Sequence, residues 1–250
     1  MRKSMIALSV LAALPALYSG AALAEEPAAS PHTFTGNVGF VSEYRYRGIA
    51  QTEKKAALQG GFDYSHESGF YLGTWASNVS WFDAINSSSS NSLEWDFYGG
   101  YKVPVGPVTL DVGLLQYYYP GADVSAAGVP SPNTLEGYVG VTWEFLTFKY
   151  SRSFTNLFGT PDSKGSQYYD LSASYDVWNG FIVGAHFGRQ NVAHNSVASY
   201  NDWKIGVTKE VLGVNVGLSY IGTDSDSGFY KVGGQNWASD SWVLSVNKTF

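Results

Sequence analysis

Leu212-Gly213-Val214-Asn215-Val216-Gly217-Leu218-Ser219-Tyr220-Ile221-Gly222 is the stretch on which the fold turns. Leu212, Val214, Val216, Leu218 and Tyr220 share one parity, and Gly213, Asn215, Gly217 and Ser219 share the other. Successive side chains of a strand point to opposite faces, so this is a strand with one apolar and one polar face. Phe181, Val183, Ala185 and Phe187 oppose Ile182, Gly184, His186 and Gly188 in the same way. Tyr169, Leu171, Ala173, Tyr175 and Val177 oppose Asp170, Ser172, Ser174 and Asp176. Extended along the chain, the pattern predicts twelve segments, at 33–45, 56–66, 69–80, 92–103, 107–119, 134–144, 146–155, 167–178, 180–189, 200–209, 212–222 and 240–250. In the third segment neither parity is clearly apolar.

The joins between segments alternate strictly in length. Tight turns such as Glu67-Ser68, Pro104-Val105-Gly106 and Trp178-Asn179-Gly180 link every second pair. The others are longer and polar, among them 83–91, 120–133, 156–167 and 223–240. A soluble sandwich has no reason for that alternation. A transmembrane antiparallel up-and-down β-barrel of about twelve strands has one: short periplasmic turns on one side and longer external loops on the other.

Composition agrees. Charged residues are only 14% of the chain and aromatics 16%, with 28 glycines and no cysteine, which excludes disulfides, thiolate metal sites and a cysteine nucleophile. A pI near 5.1 disfavours nucleic acid as a partner. After the N-terminus no apolar run approaches the roughly 20 residues a spanning helix needs.

The N-terminus carries Arg2 and Lys3, the apolar run Met5 to Leu17, and the small-x-small site Ala22-Leu23-Ala24. This predicts a cleaved secretory signal peptide over 1–24, a short periplasmic segment over 25–32 and the barrel over 33–250. A retained anchor is the weaker alternative because the apolar run is short. Loss of Arg2 and Lys3 would move the formal charge from −6 to −8.

Aromatic placement sharpens the barrel reading. On the apolar parity, Tyr44, Trp95, Tyr118, Phe154, Tyr169, Phe187, Trp203, Tyr220 and Trp242 gather at the external end. Phe34, Tyr64, Phe70, Tyr101, Trp143, Phe148, Tyr175, Phe181 and Phe250 gather at the periplasmic end. Two girdles around an apolar band are expected where rings settle at both headgroup layers. Strand propensity alone explains the number of aromatics but not their gathering at two ends. The last strand, Trp242 to Phe250, resembles the terminal strand of bacterial outer-membrane proteins, whose final phenylalanine is read by the barrel-assembly machinery. Lys248 departs from that pattern.

A wider resemblance rests on the first three segments. They contain Ser42-Glu43-Tyr44-Arg45-Tyr46-Arg47-Gly48-Ile49-Ala50-Gln51-Thr52, Ala57-Leu58-Gln59-Gly60-Gly61-Phe62-Asp63-Tyr64, and Gly69-Phe70-Tyr71-Leu72-Gly73-Thr74-Trp75-Ala76-Ser77-Asn78. With Glu94 to Tyr101 and Tyr117-Tyr118-Tyr119-Pro120-Gly121, these resemble the TorF family of proteobacterial porin candidates, first described as a family of unknown function. The resemblance spans essentially the whole chain after the leader. It implies a Gram-negative outer-membrane barrel and, more loosely, a channel, and brings neither a substrate nor catalytic residues.

Interior parity carries Glu43, Asp63, Glu94, Asp96, Asp111, Glu136, Asp170, Asp176 and Asp202 against Arg45, Lys102, Lys149 and Lys204, with His186 also inward. So many buried charges need hydration or partners. A water-filled passage for small solutes or ions would hydrate them, and acidic walls would favour cations. The opposing reading is a lumen plugged by ion pairs and by Tyr98, Tyr117, Tyr119 and Tyr138, leaving the external loops to bind a surface partner. Twelve strands lie between the roughly eight that pack solid and the roughly sixteen that open a wide pore, so size does not decide. Arg47 falls where the first long loop begins, beside Gly48, which permits a sharp turn.

No cofactor, metal ion or catalytic group is expected. His194-Asn195-Ser196 has the histidine–serine spacing of a twelve-stranded outer-membrane phospholipase, but sits in a loop without a third member to orient the base. Asp224-Ser225-Asp226-Ser227-Gly228 resembles half of a calcium loop and lacks the distal acid. Lipid and lipopolysaccharide are the expected surroundings.

Overall fold

A computed structural model describes residues 30–86, 90–122, 130–225 and 228–250. The predicted leader with its cleavage site, residues 25–29, the serines at 87–89, and Asp226 and Ser227 lie outside the described residues.

Twelve strands form one closed barrel. They are β1 (His32–Val41), β2 (Ala57–His66), β3 (Phe70–Asn78), β4 (Leu93–Val105), β5 (Val108–Tyr118), β6 (Thr134–Trp143), β7 (Leu146–Ser153), β8 (Gln167–Trp178), β9 (Phe181–Asn191), β10 (Tyr200–Val211), β11 (Val214–Thr223) and β12 (Ser241–Thr249). Every neighbour in the chain is an antiparallel neighbour in the sheet, and β1 closes on β12 from Asn37↔Thr249 to Val41↔Ser245. Reciprocal backbone bonds between Gly36 and Phe250, at 2.8 and 2.9 Å, extend that seam by one position. All twelve predicted segments are present. The first is shorter than predicted, because the strand ends at Val41 and the chain then turns into the bore.

The joins on one rim are two residues long, apart from the three-residue turn at 67–69. Asn179 and Gly180 both take positive φ, the turn geometry that matches the twist of a hairpin. The joins on the other rim are long and carry what little helix is described, α1 (Trp81–Ile85) and one 3₁₀ turn (Ser196–Ala198). Among the described residues no helix is long and apolar enough to cross a membrane; the crossing elements are the strands.

The barrel is inside out relative to a soluble protein. Phe34, Phe62, Leu171, Tyr175 and Trp242 are exposed on its outer wall, while Glu94, Glu136 and Asp202 are buried within. A continuous exposed apolar belt is unfavourable in water and at home in lipid. β3 resolves the segment whose parity was ambiguous. Phe70 and Leu72 face out, whereas Tyr71, Trp75 and Ser77 face the bore, so bulky rings occur on both faces.

Glycines make room for those inward rings. Across the β3–β4 and β5–β6 pairs, Gly73 faces Tyr98, Gly100 faces Tyr71 and Gly113 faces Tyr138. A Cβ on Gly100 would lie 2.5 Å from the Tyr71 hydroxyl, and one on Gly73 or Gly113 would run into the facing ring. The tyrosines therefore lie along the wall over glycine.

Adjacent residues in the short-turn half test the parity. Val207 is exposed on the outer wall and Thr208 is half-buried inside. With no natural cysteine to remove, Thr208→Cys should react with a charged methanethiosulfonate in liposomes, and Val207→Cys only with a lipid-soluble maleimide. The reverse pattern would mean a register one residue out.

Candidate functional site in the barrel lumen

The first long join does not cover the mouth of the barrel; it enters it. After Ser42, whose amide still bonds the Leu244 carbonyl at 2.9 Å, the chain turns inward and forms a two-rung ribbon, Arg45–Tyr46 against Ile49–Ala50. Its tip is Arg47 and Gly48, at φ 45° and 79°. A Cβ on Gly48 would come within 2.5 Å of Thr223 and 2.9 Å of Asp202. Both the turn and the close approach therefore require glycine.

Arg47 spans the bore. It leaves β1's end of the barrel and donates to both carboxylate oxygens of Glu136 on β6, at 2.6 and 3.0 Å, and to Gln190 on β9 at 2.8 Å. Its guanidinium lies 4.1 Å over the ring of Tyr168 and 4.8 Å over that of Tyr46. Such bidentate pairing is the strong form of an arginine–carboxylate contact. The Tyr46 and Tyr117 hydroxyls meet at 2.6 Å.

The expectation for Tyr44 is corrected by the same inward turn. It is not in the outer girdle: it is buried, edge-on to Trp75, and its hydroxyl donates to Glu94 at 2.6 Å. Strand alternation no longer governs it once β1 has ended. Tyr119 donates to the other oxygen of Glu94, so one buried carboxylate holds the plug and the wall together. Arg45 pairs with Glu43 at 2.8 Å and donates to the Gly48 carbonyl at 2.8 Å, while Ser241 donates to Glu43 at 2.6 Å. Backbone bonds tie the ribbon to its neighbours: Ala50 to Trp237 at 3.0 Å and Ser80 to Gln51 at 2.9 Å.

Beneath this plug lies a cavity of about 180 Å³. Asp96, Lys102, Asp111, Glu136, Lys149, Asp170, His186, Asp202 and Lys204 line it together with Arg45 and Arg47. His186 has Asp170 at 2.8 Å on Nδ1 and Asp202 at 2.7 Å on Nε2, and Tyr168 donates to Asp202 at 2.9 Å. Asp111 accepts from Tyr71 at 2.6 Å with Lys102 at 3.9 Å, and Lys149 sits 3.9 Å over the Tyr138 ring. Asp63 accepts from Tyr98 at 2.6 Å.

Asp176 lies elsewhere. It is exposed at the short-turn rim, where it accepts the Gly180 amide at 3.2 Å, so it closes a turn and does not line the cavity. The strand register is regular through Asp176↔Ile182 and shifts only beyond it, before Trp178.

Of the remaining outer residues, Phe34, Trp95, Tyr101, Tyr118, Trp143, Trp242 and Phe250 are exposed. Tyr64, Tyr169, Phe181, Trp203 and Tyr220 are half-buried among their outer-wall neighbours. Tyr220 packs on Trp242, Tyr169 on Tyr150, and Phe181 stacks on Trp178. His194 is exposed and contacts Asp162 at 3.2 Å; its bonds to that residue raise its pKa. Ser196 opens a one-turn helix beside it.

Residues 25–250 match a family model described as a bacterial protein of unknown function, Gcw_chp. The chain belongs to the Gcw_chp family. No curated protein matches this Gcw_chp member. Among solved structures its fold is similar to that of the KdgM porin, with a TM-score of 0.55 at 8% identity over 86% of this chain and 99% of that one. A second structure, the KdgM porin in complex with disordered oligogalacturonate, matches with a TM-score of 0.53 at 7% identity over 87% and 99%. At these identities the likeness is one of fold.

Glu94, held by two tyrosines from different elements, predicts a coupled pair. Tyr44→Phe and Tyr119→Phe should each lower stability by about 1.5–3 kcal/mol, the range for a hydrogen bond to a charged group. The double variant should cost more than their sum, since the carboxylate then has neither donor. The midpoint of the heat-induced gel-mobility shift measures all three.

Proposed function

We propose that this Gcw_chp protein is an outer-membrane channel whose bore is closed across its middle by the inward-folded first loop. Displacement of that loop then opens a narrow path for small solutes or ions. The observation that carries this reading is Arg47, which reaches from the end of β1 to Glu136 and Gln190 on the far wall of a closed barrel. Its apolar outside suits lipid, and an interior of ionisable groups suits water. The similarity of fold to the KdgM porin is consistent with a channel. Export by a cleaved leader, contact with lipopolysaccharide and delivery through an assembly machinery that reads Phe250 belong to the same reading.

Charge inside the barrel argues for cation preference. Glu43–Arg45 and Glu136–Arg47 neutralise each other as pairs. What is left is Asp63, Glu94, Asp96, Asp111, Asp170 and Asp202 against Lys102, Lys149, Lys204 and His186. An acidic excess in a narrow bore concentrates cations. The histidine at 186 is braced between carboxylates and fixed in the wall, a structural role, and His194 stands in solvent. Neither is set against a nucleophile, which favours a channel over a hydrolase.

Planar-bilayer recording tests the reading. The natural protein should show low conductance with rare openings. Arg47→Ala and Glu136→Gln should each raise mean conductance several-fold, with a reversal potential on the cation side under a salt gradient. Asp96→Asn with Asp111→Asn should move that potential toward zero. Folded Arg47→Ala protein as silent as the natural protein would remove loop one as the barrier.

A further inference from the structure

Above the plug, on the long-loop side, lies a second cavity, of about 350 Å³. Its chemistry is unlike that of the charged chamber below. Among the described residues lining it none is charged: rings and aliphatic groups from five of the long joins enclose it, with Trp81, Leu157, Phe158, Tyr230 and Trp237 the largest.

The cavity's polar lining is uncharged: Gln51, Thr160, Gln190, Asn195 and the hydroxyls of Tyr46, Tyr200 and Tyr230. Tyr200 is only 4% exposed, lines this cavity and packs edge-on to Tyr230 at 5.3 Å, yet its hydroxyl has no hydrogen-bond partner. Tyr230, by contrast, has spent its own hydroxyl on the Ala198 carbonyl at 2.7 Å. The indole N–H groups of Trp81 and Trp237 also lack partners, but they are shut within the packed wall and do not open on the cavity. Polar groups enclosed by protein are normally satisfied. The Tyr200 hydroxyl, open to this cavity and without a partner, is the donor that a bound acceptor would satisfy.

We infer that this outer cavity is a binding site for an uncharged, planar-ring solute that is apolar over its faces and carries an acceptor oxygen at its edge. The aromatic walls supply face and edge contacts, the volume suits a small molecule of one or two rings, and the absence of charge among the described lining residues disfavours an ion. Tyr200 is the residue placed to choose the acceptor. Tyr46, Ile49, Ala50 and Gln51 of loop one form part of the wall, so the site belongs to the closed state; its test reads binding and not conductance, so its failure and that of the channel reading are distinguishable.

Coumarin serves as the probe, being neutral, flat and bearing a carbonyl acceptor. Naphthalene lacks the acceptor and 2-naphthoate adds a charge. Saturation-transfer NMR on the folded full-length protein in lipid nanodiscs, with empty nanodiscs as blank, should detect coumarin above the blank. Tyr200→Phe should weaken coumarin about five- to tenfold, as expected for one hydrogen bond of about 1 kcal/mol, and leave naphthalene unchanged. Trp237→Ala, or Phe158→Ala where the first does not fold, should weaken both ring compounds. Coumarin signal no greater than in empty nanodiscs would overturn the inference. So would equal binding of 2-naphthoate, or full coumarin affinity in both Tyr200→Phe and the folded wall variant.

Discussion

A backbone amide or carbonyl facing hydrocarbon has no water to bond, and each one left bare costs several kcal/mol. That constraint decides the architecture. A sheet can satisfy it only by closing, which is why β1 meets β12 and why Gly36 and Phe250 bond each other at the last position. Closure then fixes the alternation of every strand, sends apolar groups outward and gathers the polar ones in a bore. It also gives that bore two ends of different character, since hairpin turns collect on one rim and long joins on the other.

What closure dictates was legible residue by residue. The period-two stretch at 212–222, the alternation of short and long joins and the two aromatic belts all follow from local repetition, so they can be read without knowing what touches what. The inward acids and lysines followed from parity alone, and Asp96, Asp111, Lys149, Asp170, His186 and Lys204 do line one chamber. Parity failed where the strand did. Beyond Val41 the chain leaves the sheet, so Tyr44 could not be placed by counting; Asp176 keeps the inward parity through its pairing with Ile182 but lies at the exposed short-turn rim, past the chamber. β3 was obscure for another reason: Tyr71 and Trp75 face inward, and a ring reads as apolar whichever way it points.

The plug was the least legible part because its partners are far away in the chain. Arg47 and Glu136 are 89 residues apart, and Arg47 and Gln190 are 143 apart. Nothing local announces either contact. The one available signal was Arg47-Gly48, a turn dipeptide set between two short ring-bearing or apolar pairs, which marks a tight ribbon but not its direction. The tyrosines that receive the ribbon were visible, but the glycines opposite them explain more. Gly73, Gly100 and Gly113 let rings lie along the wall, leaving room in a twelve-stranded bore for a loop to enter.

The loop is held by contacts of two kinds, an ion pair across the bore and an apolar cluster beneath the long joins. Arg47 adopts a left-handed backbone that costs a non-glycine residue roughly 1–2 kcal/mol, a cost offset by the ribbon's pairing and by the contacts of its side chain. The ion pair with Glu136 is buried, and a buried pair returns much of its attraction as desolvation. Cutting away one partner strands the other charge, at about 3–5 kcal/mol. Withdrawing the whole ribbon strands neither, because water can enter and solvate both. The closed state is thus held firmly against loss of a single group; moving the loop as a unit spares that penalty but must unpack Tyr44, Ile49 and Ala50 from the buried cluster they form with Trp75, Trp81 and Trp237. The Arg47–Glu136 pair therefore sets the cost of losing one group, while the buried cluster around Tyr44, Ile49 and Ala50 sets the cost of moving the loop.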